Sequence, residues 1–156
     1  MEILIDALLD WIADHSDYVT EDLPHPVVLQ LTPEELTTEY YTGVAHLMPE
    51  DGVDERLNAL YAATDGAYGT IYLRAAAGFD ESEHFEDPTE NPLWREVLLH
   101  ELVHHVQWQS GEAQTWHCPA QGERVAYHLG GIYLAESHVW DPMGNRAFWA
   151  HMYSRC

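Results

Sequence analysis

Apolar and acidic residues alternate by threes and fours through the start of the chain. Ile3, Leu4, Ala7, Leu8, Trp11 and Ile12 fall on one side of a helical projection, and Glu2, Asp6, Asp10 and Asp14 form a stripe on another. This is the pattern of an amphipathic helix. The segment has no basic start and no small-residue cleavage site, so it does not read as a signal peptide. Pro24 and Pro26 interrupt the pattern, and Val27–Leu31 reads as a short strand. Thr32-Pro33-Glu34-Glu35 then supplies a helix start, with Thr at the N-cap, Pro at the first helical position and Glu35 placed for a capping box. That helix should end near Gly43, with loop to about Asp54. Residues 56–63 fit helix or strand. Asp65–Gly69 reads as a turn, Thr70–Leu73 as an alternating, β-rich strand, and residues 78–91, acidic and carrying Pro88, as a surface loop.

The clearest helix follows. Asn91 suits the N-cap, Pro92 the first helical position and Gly111 the stop, with an apolar pattern continuing to Trp108. Val97, Leu98, Leu99, Leu102, Val103 and Val106 make its middle apolar nearly all round, which predicts a buried helix. A second long helix should run from near Pro119 to about His138, weakened at Gly130-Gly131 and broken by Asp141-Pro142, and residues 144–153 fit a last short helix. The predicted fold class is α+β: a small mixed sheet containing residues 27–31 and 70–73, packed on the Asn91 helix, the helix after it and the N-terminal helix. The 156 residues have the size of one domain, 1–156.

Polar groups inside a buried helix need partners. Among the polar residues here, His100, Glu101 and His104 fall in the pattern H-E-x-x-H. Residues four apart share a helical face, so both imidazoles can reach one metal ion, and Glu101 lies beside them, where a carboxylate can take a proton from a metal-bound water. A hydrolytic zinc usually has three protein ligands. An extended motif would need Gly at 107 and His at 110, where the chain has Gln107 and Ser110. A carboxylate from the next helix is the other common solution. Glu123 follows His104 by nineteen residues, and a helical hairpin over 92–138 would return it to the two histidines. The alternative is a solvated Glu123, with His117 or Cys118 of the connecting loop as substitutes. Glu112 is too close to the turn, and Glu136 lies far along the second helix.

Tyr127, one turn after Glu123, shares its face, so its hydroxyl could donate to an oxyanion. A core tyrosine is the commoner reading of such a position. His105 points about 100° from His104 on a helix and reads as a structural or supporting residue, while His128 and His138 are weaker oxyanion candidates. Thr70–Leu73 fits an edge strand holding an extended peptide, or an ordinary sheet strand.

Charge narrows the partners. The chain has 27 acidic residues against six basic ones, all Arg, for a net charge of −21. Such a surface repels nucleic acid and anionic membranes; it attracts basic peptides or divalent cations, or simply keeps the protein solvated. No apolar run approaches the roughly 18–20 residues of a membrane span. Cys118 and Cys156 are either two free thiols of a reducing, cytoplasmic setting or a disulfide worth about 4 kcal/mol in the chain-entropy model.

His100-Glu101-Leu102-Val103-His104-His105-Val106-Gln107, preceded by Thr70-Ile71-Tyr72-Leu73 and followed by Glu123-x-x-Ala126-Tyr127, resembles the gluzincin branch of the zincin metallopeptidases. More narrowly, the chain is similar to small bacterial zincin-like proteins that combine a Trp-bearing N-terminal helix, a T-I-Y-L strand, H-E-L-V-H-H-x-Q, C-P-x-x-x-E-x-x-A-Y and a C-terminal Cys. The matches here are Trp11, the strand, the motif, Cys118-Pro119 through Tyr127, and Cys156. The resemblance implies Zn2+ on His100, His104 and Glu123, Glu101 as general base, a Cys118–Cys156 disulfide, a secreted or periplasmic setting, and hydrolysis of an unspecified peptide or protein. Two other readings stand beside it. One is a zinc-binding domain without significant proteolysis; the other is an acidic interaction protein in which the motif is incidental.

Overall fold

Ile5, Leu8, Leu9 and Ile12 form the buried stripe of the first helix, α1 (Glu2–Asp14), in a computed structural model that describes residues 1–156. The stripe is rotated from the face read off the sequence: Ile3 is exposed, whereas Leu4 and Trp11 are partly buried against the core. The acidic side is used as well. Asp6 Oδ1 accepts from His25 Nε2 (2.7 Å), pinning the extended segment that leads into β1 (Val27–Leu31).

α2 (Pro33–Tyr40) begins with the predicted capping box: Thr32 accepts from the Glu35 amide, and Glu35 accepts from the Thr32 amide. It ends at Tyr40, three residues before Gly43. Residues 59–62, inside the segment that fits helix or strand by pattern, form β2 (Ala59–Ala62). The chain then turns through Asp65–Gly69 into β3 (Thr70–Arg74). β3 is the central strand of a three-stranded mixed sheet. It pairs parallel with β1, with Val27 opposite Thr70, and antiparallel with β2, with Ala62 opposite Thr70. Thr70–Leu73 is therefore not an edge strand. It is buried on both faces, and a strand bonded on both sides has no free backbone edge; the sheet's two edges belong to β1 and β2.

α3 (Pro92–Gln109) is the spine of the fold. The Asn91 side chain accepts from the Leu93 amide, and fully buried Trp94 donates from Nε1 to the Arg74 carbonyl (2.9 Å), tying the helix start to the end of β3. Leu98, Leu99, Leu102, Val103 and Val106 meet α1 on one side and Ile71 and Leu73 on another, in one contiguous core. Gly111 stops the helix with φ +81°, a left-handed conformation that a Cβ would strain.

Pro119–Gly122 is a single 3-10 turn, after which α4 (Glu123–Glu136) runs antiparallel to α3 and ends two residues before His138. The helix runs unbroken through Gly130-Gly131. The glycines give α4 a bare face on which the Glu96 carboxylate and the Arg146 side chain lie. Arg146 opens α5 (Arg146–Tyr153), which packs on α4, and Cys118–Cys156 is a disulfide that ties the segment before α4 to the end of the chain. The result is a small α+β fold, and no helix is long and apolar enough to cross a membrane.

Candidate metal centre

The turn after Gly111 sends α4 back across the middle of α3, so the first residue of α4 meets the H-E-x-x-H face. His100 Nε2 and His104 Nε2 lie 3.2 Å apart. Glu123 places Oε2 3.1 Å from His100 Nε2 and Oε1 3.5 Å from His104 Nε2. Their side chains are 12, 16 and 29% exposed, so the cluster is sheltered yet reachable. One donor atom from each residue lies within 4.8 Å of the others, and the group could hold a metal ion.

A neighbouring residue holds this arrangement. His104 Nδ1 donates to Gln107 Oε1 (3.0 Å), and the buried Gln107 amide donates to the Gly122 carbonyl and to the Tyr18 hydroxyl, both at 3.2 Å. Gly122 precedes Glu123, so one side chain fixes a histidine of α3 and the approach to the carboxylate of α4. Gly122 must be small: a Cβ there would come within 2.6 Å of Gln107 Oε1 and 2.7 Å of the Trp116 ring. By spacing Gln107 is a missing glycine of the extended motif, and in the resemblance it is the last residue of H-E-L-V-H-H-x-Q; neither gives it a role. The usable signal was a long polar side chain three residues after His104 in an otherwise apolar frame.

The other candidates separate cleanly. His105 turns away from the cluster; its Nε2 donates to the Pro24 carbonyl (2.8 Å) and its Nδ1 accepts from the Tyr61 hydroxyl (3.2 Å), which anchors α3 to β2. His128 and His138 are exposed and take no part. Glu136 accepts from Trp11 Nε1 and His15 Nε2 at the far end of α4. Cys118 is consumed by the disulfide, while His117 lines the hollow beside His104.

Glu101 is only 8% exposed, and burial pushes its carboxyl above the ordinary range against the pull of the two histidines. Glu123 is also disfavoured by burial, but its hydrogen bonds to His100 and His104 hold it down to about 2. Burial likewise opposes the charge on His104, yet Glu123 and Glu101 lift it to about 9. Tyr127 lays its ring edge-on to His100, with centroids 4.6 Å apart, and stacks on Tyr153. Its hydroxyl is kept protonated, first by burial and then by the nearby carboxylates.

Two hollows open on the cluster from opposite ends. One, of about 450 Å³, holds His100, Glu101 and Tyr127 together with Leu93 and Val97 from the start of α3. The other, of about 530 Å³, holds Glu101, His104 and Glu123 with the aromatic side chains of Tyr61, Trp108 and Trp116. Ala59 of β2 and Glu101 border both, so the β2 edge of the sheet runs past the candidate ligands.

No curated protein and no solved structure matches the chain. A family model does, from residue 1 to residue 156, and the chain belongs to the family described as Domain of unknown function (DUF6647).

Proposed function

We propose that this protein is a zinc-dependent peptidase. The observation that carries the reading is the spacing of the three donor groups. Ligands at about 2.0–2.1 Å from a tetrahedral ion lie about 3.3 Å from each other; the two imidazole Nε2 atoms are 3.2 Å apart, the two Glu123 oxygens stand 3.1 Å from one and 3.5 Å from the other, and one donor atom from each residue lies within 4.8 Å of the rest. Two imidazoles and one carboxylate are a donor set suited to zinc rather than to calcium, which takes six or more oxygens.

When bound, zinc would lower the pKa of a water molecule and polarise a carbonyl group. Glu101 then has the position and the raised proton affinity to take a proton from the attacking water and pass it to the leaving amine. Gln107 keeps the His104 proton on Nδ1, leaving Nε2 free as a donor atom. Tyr127 borders the same hollow as Glu101, where its protonated hydroxyl can donate to the developing oxyanion. The unpaired edge of β2 offers main-chain groups to an extended peptide, which supports a peptide substrate over a small polar one. The disulfide supports an oxidising, exported setting.

Metal analysis and cleavage of a mixed peptide library test the reading together. Wild type should carry one zinc and cut the library. Glu101→Gln should keep the zinc and lose about 10²–10⁴-fold in rate. Tyr127→Phe should lower kcat with little change in KM. A protein that holds zinc but cuts nothing is a binding domain, and one that holds no metal defeats the whole proposal.

A further inference from the structure

Three of the six arginines in this strongly acidic chain, Arg56, Arg74 and Arg146, line the hollow on the His100 side of the metal centre. Two are already matched. Arg146 donates to Glu96 (2.7 Å) and through Nε and Nη2 to Asp141 (2.7 and 2.9 Å). Arg56 donates through Nε and Nη2 to Asp54 (2.8 and 2.7 Å).

Arg74 is different. Its side chain is 23% exposed, its Nε is buried with no hydrogen-bond partner, and the nearest carboxylate, that of the exposed Glu55, stands 3.7 Å from Nη1. A guanidinium in that state has lost much of its hydration and gained in return only a loose ion pair with an exposed carboxylate, with no hydrogen bond to it. The acids around the hollow do not supply one: Glu96 is held by Arg146, Glu101 belongs to the metal end, and Asp80 lies exposed at the rim.

The location of Arg74 fits a substrate group. It ends β3, its amide donates to the Asn58 carbonyl just before β2, and its carbonyl accepts from Trp94. Trp94 precedes His100 by six residues of α3, an axial distance of about 9 Å. An extended peptide covers that distance in about three residues.

We propose that Arg74 determines specificity by receiving a carboxylate of the bound peptide, two or three residues from the bond held at the metal centre. The planar fork of a guanidinium suits a carboxylate held by two hydrogen bonds. The carboxylate is an Asp or Glu side chain or the C-terminus of the peptide itself. The inference rests on the peptidase reading for its substrate class, and binding can be tested apart from turnover.

The zinc-loaded Glu101→Gln protein is titrated with three matched peptide sets. One carries Asp or Glu at successive positions with an amidated C-terminus; a second has no acidic side chain and a free C-terminus; the third has Asn or Gln and an amidated C-terminus. One of the acid-bearing sets should bind about tenfold or more tighter than the third, and which one does identifies the source of the carboxylate. Arg74→Gln should erase the difference at an unchanged melting temperature, and Arg74→Lys should restore part of it. Equal affinity across the three sets on the unsubstituted Arg74 background overturns the proposal, whatever the variants do. So does a preference that survives in a folded Arg74→Gln. Acid-selective binding without cleavage by wild type would instead remove the peptidase reading and leave the carboxylate site standing.

Discussion

His104 Nδ1 donates to Gln107 Oε1 across 3.0 Å, and the same Gln107 donates to the Gly122 carbonyl one residue before Glu123. A single amide thus sets the Nδ1 proton of one candidate ligand and the approach of another. Gln107→Leu keeps the bulk and deletes both functions. Metal affinity should fall about 10–100-fold, as when the supporting partner of a ligating histidine is removed. Stability should fall by about 1–3 kcal/mol, because the Gly122 carbonyl and Tyr18 hydroxyl lose a partner. Competition with a chromophoric chelator and urea unfolding read the two effects. Undiminished affinity in a folded variant would show that the amide does not orient His104.

Protons and metal compete for the same atoms. His104 is lifted to about 9 in the metal-free protein, above its ordinary value near 6.5, so it is charged at neutral pH. Its contribution to metal-free stability is fully present below about pH 6.5 and is lost as pH rises through about 9. Glu123 is depressed to about 2, so its contribution is present above its unfolded value near 4.5 and is lost as pH falls through about 2. The pair therefore stabilises the metal-free fold most fully between about pH 4.5 and 6.5. Metal binding at pH 7 should release about one proton, and apparent affinity should rise about tenfold per pH unit until it levels near pH 9. Calorimetry in two buffers of different ionisation enthalpy counts the proton. No release at pH 7 would mean that His104 is already neutral.

Gly130 offers a test of the packing behind the site. A helix interior normally gains about 1 kcal/mol when Ala replaces Gly. Here a Cβ would overlap Glu96 Oε1 and reach 3.1 Å from Arg146 Nη1, inside an ion pair whose two side chains are each 11% exposed. Gly130→Ala should therefore destabilise by about 1–3 kcal/mol in urea unfolding. Gly78, with nothing within 4 Å of a Cβ, is the control, and Gly78→Ala should be neutral or stabilise by up to about 1 kcal/mol. Stabilisation of both variants would show that the ion pair does not press on Gly130.

The meeting of His100, His104 and Glu123 is legible in the sequence because each lies in a strong local frame. Asn91 and Pro92 fix where α3 begins, the apolar run around His100 and His104 shows that the helix is buried, and two successive helices over residues 92–138 imply a hairpin that brings Glu123 back. Local pattern did not assign Ala59–Ala62 as a strand, since four partly buried residues at an edge carry no two-sided apolar run. Thr70–Leu73 fits an edge strand by pattern as well, and only the fold reveals that it is central, paired with β1 and β2, with Ile71 and Leu73 in the core shared with α1 and α3. Gly130-Gly131 read as a weakness because helix propensity is local, whereas Glu96 and Arg146 arrive from α3 and α5. Arg74 was silent as well: its lack of a partner is a property of the cavity, not of any spacing.

The strap at the end of the chain separates stability from metal binding. Cys118 and Cys156 are 38 residues apart in sequence and join the segment before α4 to the end of α5. A loop of that size restricts the unfolded chain by about 4 kcal/mol in the chain-entropy model, so Cys156→Ser or reduction should lower stability by up to that amount. The ligands, however, are placed by α3 and α4 and joined through Gln107, and none of those contacts uses the disulfide. Below the unfolding transition, the reduced protein should keep metal affinity within about threefold of the oxidised form, since Gln107 still supports the ligands. What loosens is α5, and with it the stacking of Tyr153 on Tyr127, so any peptide cleavage should fall more than metal affinity. Urea midpoints and metal titrations with and without reductant measure the two quantities on one sample. A parallel collapse of both would show that α5, rather than Gln107, holds Glu123 in place.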